Sequence, residues 1–224
     1  MKTIVVSIGG SVILSDEADA GFLKKLIRLF KKISNEYKLY IIVGGGYIAR
    51  RYILLGRELG FEEDTLDLIG IDVTRVNARI ITNLLGISNK EIPHSTNEAM
   101  KLDFPIVVMG GTEPKHSTDL VSAELSEKTN AVRFVNATNV DGIYDKDPNK
   151  YKNARQLKEV TIESLISQYG TTWRAAGKNI FMDGPALEII KRAKITTYIV
   201  NGKRLEQLEK ALLGESFNGT KILV

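Results

Sequence analysis

Five apolar runs in this chain are rich in β-branched residues and do not alternate with polar ones. They include "TIVVSI", "LYIIV", "IVVM", "AVRFV" and "TTYIV". A strand with one face in water alternates apolar and polar residues. A continuous run marks a strand buried on both faces, the habit of parallel sheets covered by helices. Between the runs, apolar residues recur at helical spacing, as in Phe22, Leu26, Leu29, Phe30 and Ile33. The spacing predicts helices over 19–36, 48–59, 66–85, 118–127, 162–167, 185–192 and 205–213. Strand and helix therefore alternate, and the chain is predicted to be α/β with a mostly parallel sheet. The terminal "TKILV" is expected to close that sheet at an edge.

The 224 residues, 43% hydrophobic and 26% charged, suit one domain spanning 1–224. The formal charge is only +4, and the densest basic run, "LKKLIRLFKKI", places its lysines on the polar side of an amphipathic helix. No nucleic-acid partner is expected from such scattered charge. No apolar run approaches membrane-spanning length, and "MKTIVVSIGGSV" is too short and glycine-rich for a secretory leader. With no cysteine there is neither a disulfide framework nor a thiolate metal site. A cytoplasmic location and no membrane partner are the expectation.

Three of the strands leave through glycines: Gly9-Gly10, Gly44-Gly45-Gly46 and Gly110-Gly111. Ligands of open α/β sheets bind at the carboxyl ends of strands. Glycine admits close backbone approach, so successive N–H groups can face one anion. Three such exits point to a polyphosphate, or to two phosphorylated ligands, lying across the sheet edge. Gly44, Gly46 and Ala49 also fit the dinucleotide fingerprint G-x-G-x-x-A. That fingerprint should follow the first strand and be answered by an acidic residue ending the next strand. Here it follows the second, and the answering region reads as helix, so the match is accidental. No Walker A loop, HExxH, GxSxG or EF-hand pattern occurs, and His94 and His116 are not at metal-ligand spacing.

The segments "SIGGSV", "VGGGYIARRY", "LDLIGIDVTRVNA", "VMGGTEPKHSTD", "ATNVDGIYDKDP" and "MDGPALEIIKRAKI" resemble, in order, those of the amino acid kinase superfamily. Within it the chain is most similar to the uridylate (UMP) kinases of the archaeal type. The glycine triplet followed by arginine, and "GGTEP" followed by "STD", carry that narrower likeness. The resemblance spans essentially the whole chain. It implies a three-layer αβα sandwich with a mostly parallel open sheet, a hexameric homo-oligomer, ATP as phosphoryl donor, Mg2+, and UMP as acceptor.

The resemblance also implies roles for individual residues. Gly9, Gly10 and Gly46 would face ATP, with Thr138, Tyr144 and Asp147 on its adenosine side. Gly45 would face UMP, Asp67 would accept the ribose hydroxyls, and Thr112, Glu113, Pro114, Lys115, His116, Ser117 and Thr118 would wrap the uridine. Arg50 and Asp183 would be catalytic, the first neutralising transferring oxygens, the second orienting cationic groups. No residue is assigned as a direct metal ligand. The acceptor is already an anionic phosphate, so no general base is needed and catalysis rests on positioning and charge stabilisation. One position departs from the pattern: many members carry a lysine where this chain has Ser7. The residues alone leave open another phosphotransferase of the superfamily, or a non-catalytic relative that stores a ligand.

Overall fold

The computed structural model describes residues 1–14, 19–146, 148, 150–172 and 182–224. β1 (Lys2–Ile8) is an interior strand, third from one edge, of a seven-stranded sheet. On one side it pairs in parallel with β2 (Tyr37–Val43), which pairs with β3 (Ile106–Met109). On the other side lie β4 (Arg133–Thr138) and β8 (Thr197–Asn201), also parallel. β9 (Gly219–Leu223) then runs antiparallel to β8, and β7 (Glu159–Thr161) runs parallel to β9. The terminal strand is therefore second from the edge, and β7 takes the edge position expected for it. A three-residue strand with the exposed ends Glu159 and Thr161 is too short to show apolar periodicity, and short polar strands are how sheet edges are blunted. A two-stranded ribbon, β5 (Ile143–Tyr144) with β6 (Gln156–Leu157), interrupts what the sequence reads as one long loop.

The sheet has a core on each face, and strand parity sorts residues between them. Ile4, Val6 and Ile8 of β1 join the core beneath α2 (Ala20–Ile33), α4 (Glu63–Leu85) and α9 (Leu205–Leu213). Val5 points the other way, toward α5 (Thr96–Met100), α6 (Thr118–Lys128), α7 (Ile162–Tyr169) and α8 (Gly184–Ala193). The layers are helix, sheet, helix, as expected. A single turn, α1 (Gly10–Ile13), follows β1, and α3 (Gly46–Glu58) follows β2.

Helix starts follow capping chemistry. Asp19, Ser117 and Asp183 each accept a hydrogen bond from a backbone N–H in the first turn of their helices. α2 turns Leu23, Leu26, Ile27, Leu29, Phe30 and Ile33 inward. Its wide apolar face thus lies in the chain's own core. A run of exposed apolar side chains stands on α3 and just beyond it, Tyr47, Ile48, Tyr52, Leu54, Leu55, Leu59 and Phe61, and α4 adds Leu68, Val76 and Leu84.

At the carboxyl edge the first two glycine exits press against each other. A Cβ on Gly10 would lie 2.4 Å from the Gly46 nitrogen and 2.5 Å from the Gly44 oxygen. Gly46 adopts φ +67°, and a Cβ there would lie 2.5 Å from the Gly10 carbonyl carbon. Gly9 has room by contrast, its Cβ reaching only ordinary contact at 3.6 Å from the Ala137 oxygen. Gly10→Ala is expected to destabilise the fold by about 1–3 kcal/mol or more, as overpacked sites do, whereas Gly9→Ala should melt within a few degrees of wild type. Thermal denaturation of both variants checks this; a Gly9→Ala variant as unstable as Gly10→Ala would contradict it.

Candidate active site

Helix α4 runs beneath the carboxyl edge and holds two of its loops by side chain. Asn77 Nδ2 donates to the Gly44 oxygen at 2.9 Å and the Gly45 oxygen at 3.3 Å. Thr74 Oγ1 accepts the Gly111 N–H at 2.7 Å. Arg75 donates to the Gly111 oxygen from Nε at 3.3 Å and to the Thr112 oxygen from Nη2 at 3.0 Å. Asp67, buried, accepts the Lys115 N–H at 2.7 Å. Gly70 and Gly110 let the layers approach: a Cβ on Gly110 would lie 2.5 Å from Thr74 Oγ1, and one on Gly70 3.3 Å from Ile53 Cδ1.

The glycine N–H groups are less available than the sequence suggests. Gly9 donates to the Ala137 oxygen at 3.0 Å and Gly44 to the Ile8 oxygen at 2.8 Å. With Gly111 bound to Thr74, one N–H from each exit is spent on the fold. The first N–H groups of α1 and α3, which have no side-chain cap, are the ones left to meet an anion, whereas those of α6 go to Ser117 Oγ.

A cleft opens between α3, α4 and the segment leading into α6. Gly45, Gly46, Arg50, Asp67, Glu113, His116, Ser117 and Thr118 line it, with Ile53 and Ile71 as apolar wall. An apolar wall with a few convergent polar groups is the usual make-up of a small-ligand site. Arg50 and Asp67, 17 residues apart in sequence, thus face one space. Of the other residues expected there, Thr112, Pro114 and Lys115 do not line it. The Thr112 hydroxyl is buried without a partner among the described residues. Lys115 takes φ +67° and extends its ammonium to Asp64 at 3.3 Å. Thr138 and Tyr144 lie beyond β1, at the β4 exit and in β5, apart from this cleft. Asp147 lies outside the described residues.

Beside the cleft two carboxyl groups meet. Asp183 caps α8 by accepting the Ala186 N–H at 2.9 Å, and its other oxygen accepts the Ser117 hydroxyl. Asp119 accepts the Ser7 hydroxyl at 3.0 Å and the Asn136 amide at 3.2 Å through one oxygen. Ser7 and Asn136 are register partners on β1 and β4 and both are buried. Burial, then the charge of Asp183, pushes Asp119 up to about 7, with the Ser7 hydrogen bond opposing. Burial pushes Asp183 up to about 6, against the Ala186 N–H and the nearby His116. His116 stands 3.5 Å from Glu113 and 4.0 Å from Glu124.

Asp119 was not singled out in the sequence. The usable signal is the pair of polar residues, Ser7 and Asn136, inside otherwise apolar strands. Two polar side chains on the same face of neighbouring strands require a polar partner above them. Thr74, Arg75 and Asn77 were missed too, because on a helix they read as an ordinary polar stripe. Asp141 accepts from Asn201 and Arg204, each at 2.8 Å, and ties the β4 exit to the end of β8.

A family model described as "Amino acid kinase family" matches residues 2–201. A protein of Methanobrevibacter smithii named uridylate kinase is 44% identical over 223 residues, 98% of each chain. The crystal structure of uridylate kinase from Archaeoglobus fulgidus superposes with TM-score 0.87 at 36% identity, covering 99% of this chain and all of that one. A UMP kinase structure from Ureaplasma parvum, 23% identical, matches with TM-score 0.81 over 100% and 99% of the two chains, and bears on the fold alone.

A carboxyl group raised on folding binds its proton more tightly in the native state, so it costs stability as pH rises between its unfolded and folded values. Asp119→Asn keeps an acceptor for Ser7 and removes the charge. In protein held in a chelator, the stability of this variant relative to wild type is expected to grow from about pH 4 to about pH 8. Chemical denaturation across that range measures it; a difference independent of pH would contradict the raised Asp119.

Proposed function

The chain belongs to the amino acid kinase family, and we propose that it transfers the γ-phosphoryl group of ATP to UMP, giving ADP and UDP, in pyrimidine nucleotide biosynthesis. The observation that carries this is the cleft that sets Asp67 and Arg50 over the interlocked glycine exits, in a chain similar throughout its length to uridylate kinases. In this reading UMP occupies the cleft. Asp67 accepts hydrogen bonds from the ribose hydroxyls, which one carboxylate can do while one of its lone pairs holds Lys115. Gly45, Glu113, His116, Ser117 and Thr118 enclose the acceptor, and Thr112, Pro114 and Lys115 complete the loop behind them. ATP lies across Gly9, Gly10 and Gly46 toward Thr138 and Tyr144. The phosphates meet where Gly10 and Gly46 meet.

The attacking group is a phosphate oxygen of UMP, so no side chain need take its proton. Arg50 projects into the cleft beside that point, and its planar guanidinium can bind two oxygens at once. Magnesium fits the residues present. No group of three or more acidic or histidine ligands occurs among the described residues. Two partly buried carboxyl groups, Asp119 and Asp183, are disfavoured as anions there. They would hold the ion through its water shell, as suits a hard cation that dehydrates reluctantly. When bound, it supplies charge neutralisation between the phosphates. Ser7 carries no charge, and its hydroxyl is engaged in orienting Asp119.

We also read the chain as a cytoplasmic homo-oligomer, a hexamer built from dimers. The exposed apolar residues of α3 support it, since a contiguous uncovered patch marks an interaction surface. Sedimentation is expected to give the hexamer for wild type and smaller species for Leu55→Asp. A wild-type monomer at micromolar concentration would contradict the assembly.

The reaction is tested by ADP release with a panel of phosphate acceptors at saturating ATP and magnesium. UMP should be used well ahead of CMP and AMP, and comparable rates with CMP would remove the assignment. In the same assay Arg50→Ala should lose about 10²–10³-fold in kcat, the scale for a charge aimed at the transition state. Ser7→Ala should keep most activity.

A further inference from the structure

The geometry points to Arg75 as a positioning residue for the acceptor: it sets the backbone at Gly111 and Thr112, and through it the registration of the acceptor loop against Asp67. This rests on the proposed phosphorylation of a nucleoside monophosphate in that cleft.

Arg75 does not line the cleft. Its side chain, 22% exposed, lies under the start of the loop. Nε and Nη2 reach the carbonyls of two successive residues, at 3.3 Å and 3.0 Å. The remaining nitrogen, Nη1, lies 3.8 Å from Asp72, an exposed carboxylate. So long a pair at the surface contributes little, and the bonds that fix the guanidinium are those to backbone. Buried or half-buried charge without a close counter-ion is costly, yet here it is spent on two carbonyls that the β3 ladder leaves behind. A rigid planar fork spans two acceptors at once, which a lysine ammonium at the end of a flexible stem does poorly.

The loop is held at few other places. Gly111 N–H goes to Thr74, and three residues after Thr112 the Lys115 N–H goes to Asp67. Asp67, Thr74 and Arg75 fall at i, i+7 and i+8, on one face of α4, so a single rigid helix sets both ends of the segment. Thr112 sits between them with a buried hydroxyl lacking a partner among the described residues. Release of its carbonyl would let that hydroxyl, and the loop after it, move relative to the Asp67 carboxylate. Thr138 and Tyr144 lie on the far side of β1 from the loop that Arg75 holds. The effect should therefore fall on the acceptor and spare the donor.

The test uses Arg75→Met and Arg75→Lys in the full-length protein. Steady-state kinetics with UMP and ATP are combined with calorimetric affinities for each nucleotide alone. Loss of hydrogen bonds from a charged donor is expected to raise the KM and Kd for UMP about tenfold or more in Arg75→Met. The KM and Kd for ATP should stay within about twofold and kcat within about threefold on the same reasoning. Arg75→Lys should fall between the two, and it decides the matter if Arg75→Met does not fold. Unchanged UMP affinity, an equal loss for both nucleotides, or a fall in kcat alone would overturn the inference. If wild type prefers another acceptor, the assignment of UMP fails. The same split measured with that acceptor then decides the role of Arg75 separately.

Discussion

The contact of Gly10 with Gly44, Gly45 and Gly46 is the constraint on which the site depends. Two neighbouring parallel strands end side by side, and their exits must cross the same space. No side chain fits at Gly10, where a Cβ would come within 2.6 Å of three backbone atoms. The interlock brings the starts of α1 and α3 together, so that two helix N-termini open on one point at the sheet edge. It also separates the surroundings into two halves. One is the α3–α4 cleft with Arg50 and Asp67; the other is the β4 side with Thr138 and Tyr144. A reaction between two nucleotide phosphates needs this arrangement: two binding regions with one shared, unobstructed meeting point.

Helix α4 supports the half proposed for the acceptor. It is 23 residues long, and along it Asp67, Thr74, Arg75 and Asn77 bond to backbone in two different loops. Loops positioned by a rigid element can present function without being rigid themselves. The opposite layer supplies the acid pair. Because Ser7 and Val5 share strand parity, Ser7 points toward α6, where Asp119 waits. With a neutral hydroxyl at this strand position Asp119 meets no cation among the described residues, and both Asp119 and Asp183 are raised toward neutrality. An incoming cation or cationic substrate complex would relieve that cost.

Much of this was legible in the residues, for physical reasons. Continuous β-branched runs report burial on both faces, so the parallel core strands were plain. Leu205–Leu213 matched its predicted bounds because its apolar spacing is clean and Gly214 stops it in a left-handed conformation. The short strands β5, β6 and β7 were not legible, since two or three residues show no period. Neither was the fate of the α2 face: amphipathicity tells that a face is covered, not whether by the same chain or another. The cleft residues Arg50 and Asp67 were found through resemblance, and the structure places them together. What periodicity could not reveal was the buried polar scaffold, Asp119, Thr74, Arg75 and Asn77, whose partners are backbone atoms and distant side chains brought close only by folding.

The central claim is that the glycine interlock is the meeting point of donor and acceptor, with the acceptor on the α4 side. A crystal structure with a bisubstrate compound, adenosine and uridine joined by a chain of five phosphates, tests it most directly. The account expects the uridine between Asp67 and the Thr112 loop, the adenosine toward Thr138 and Tyr144, and the phosphates over Gly10 and Gly46 within reach of Arg50. Adenosine in the α4 cleft, or phosphates bound away from the interlock, would contradict it.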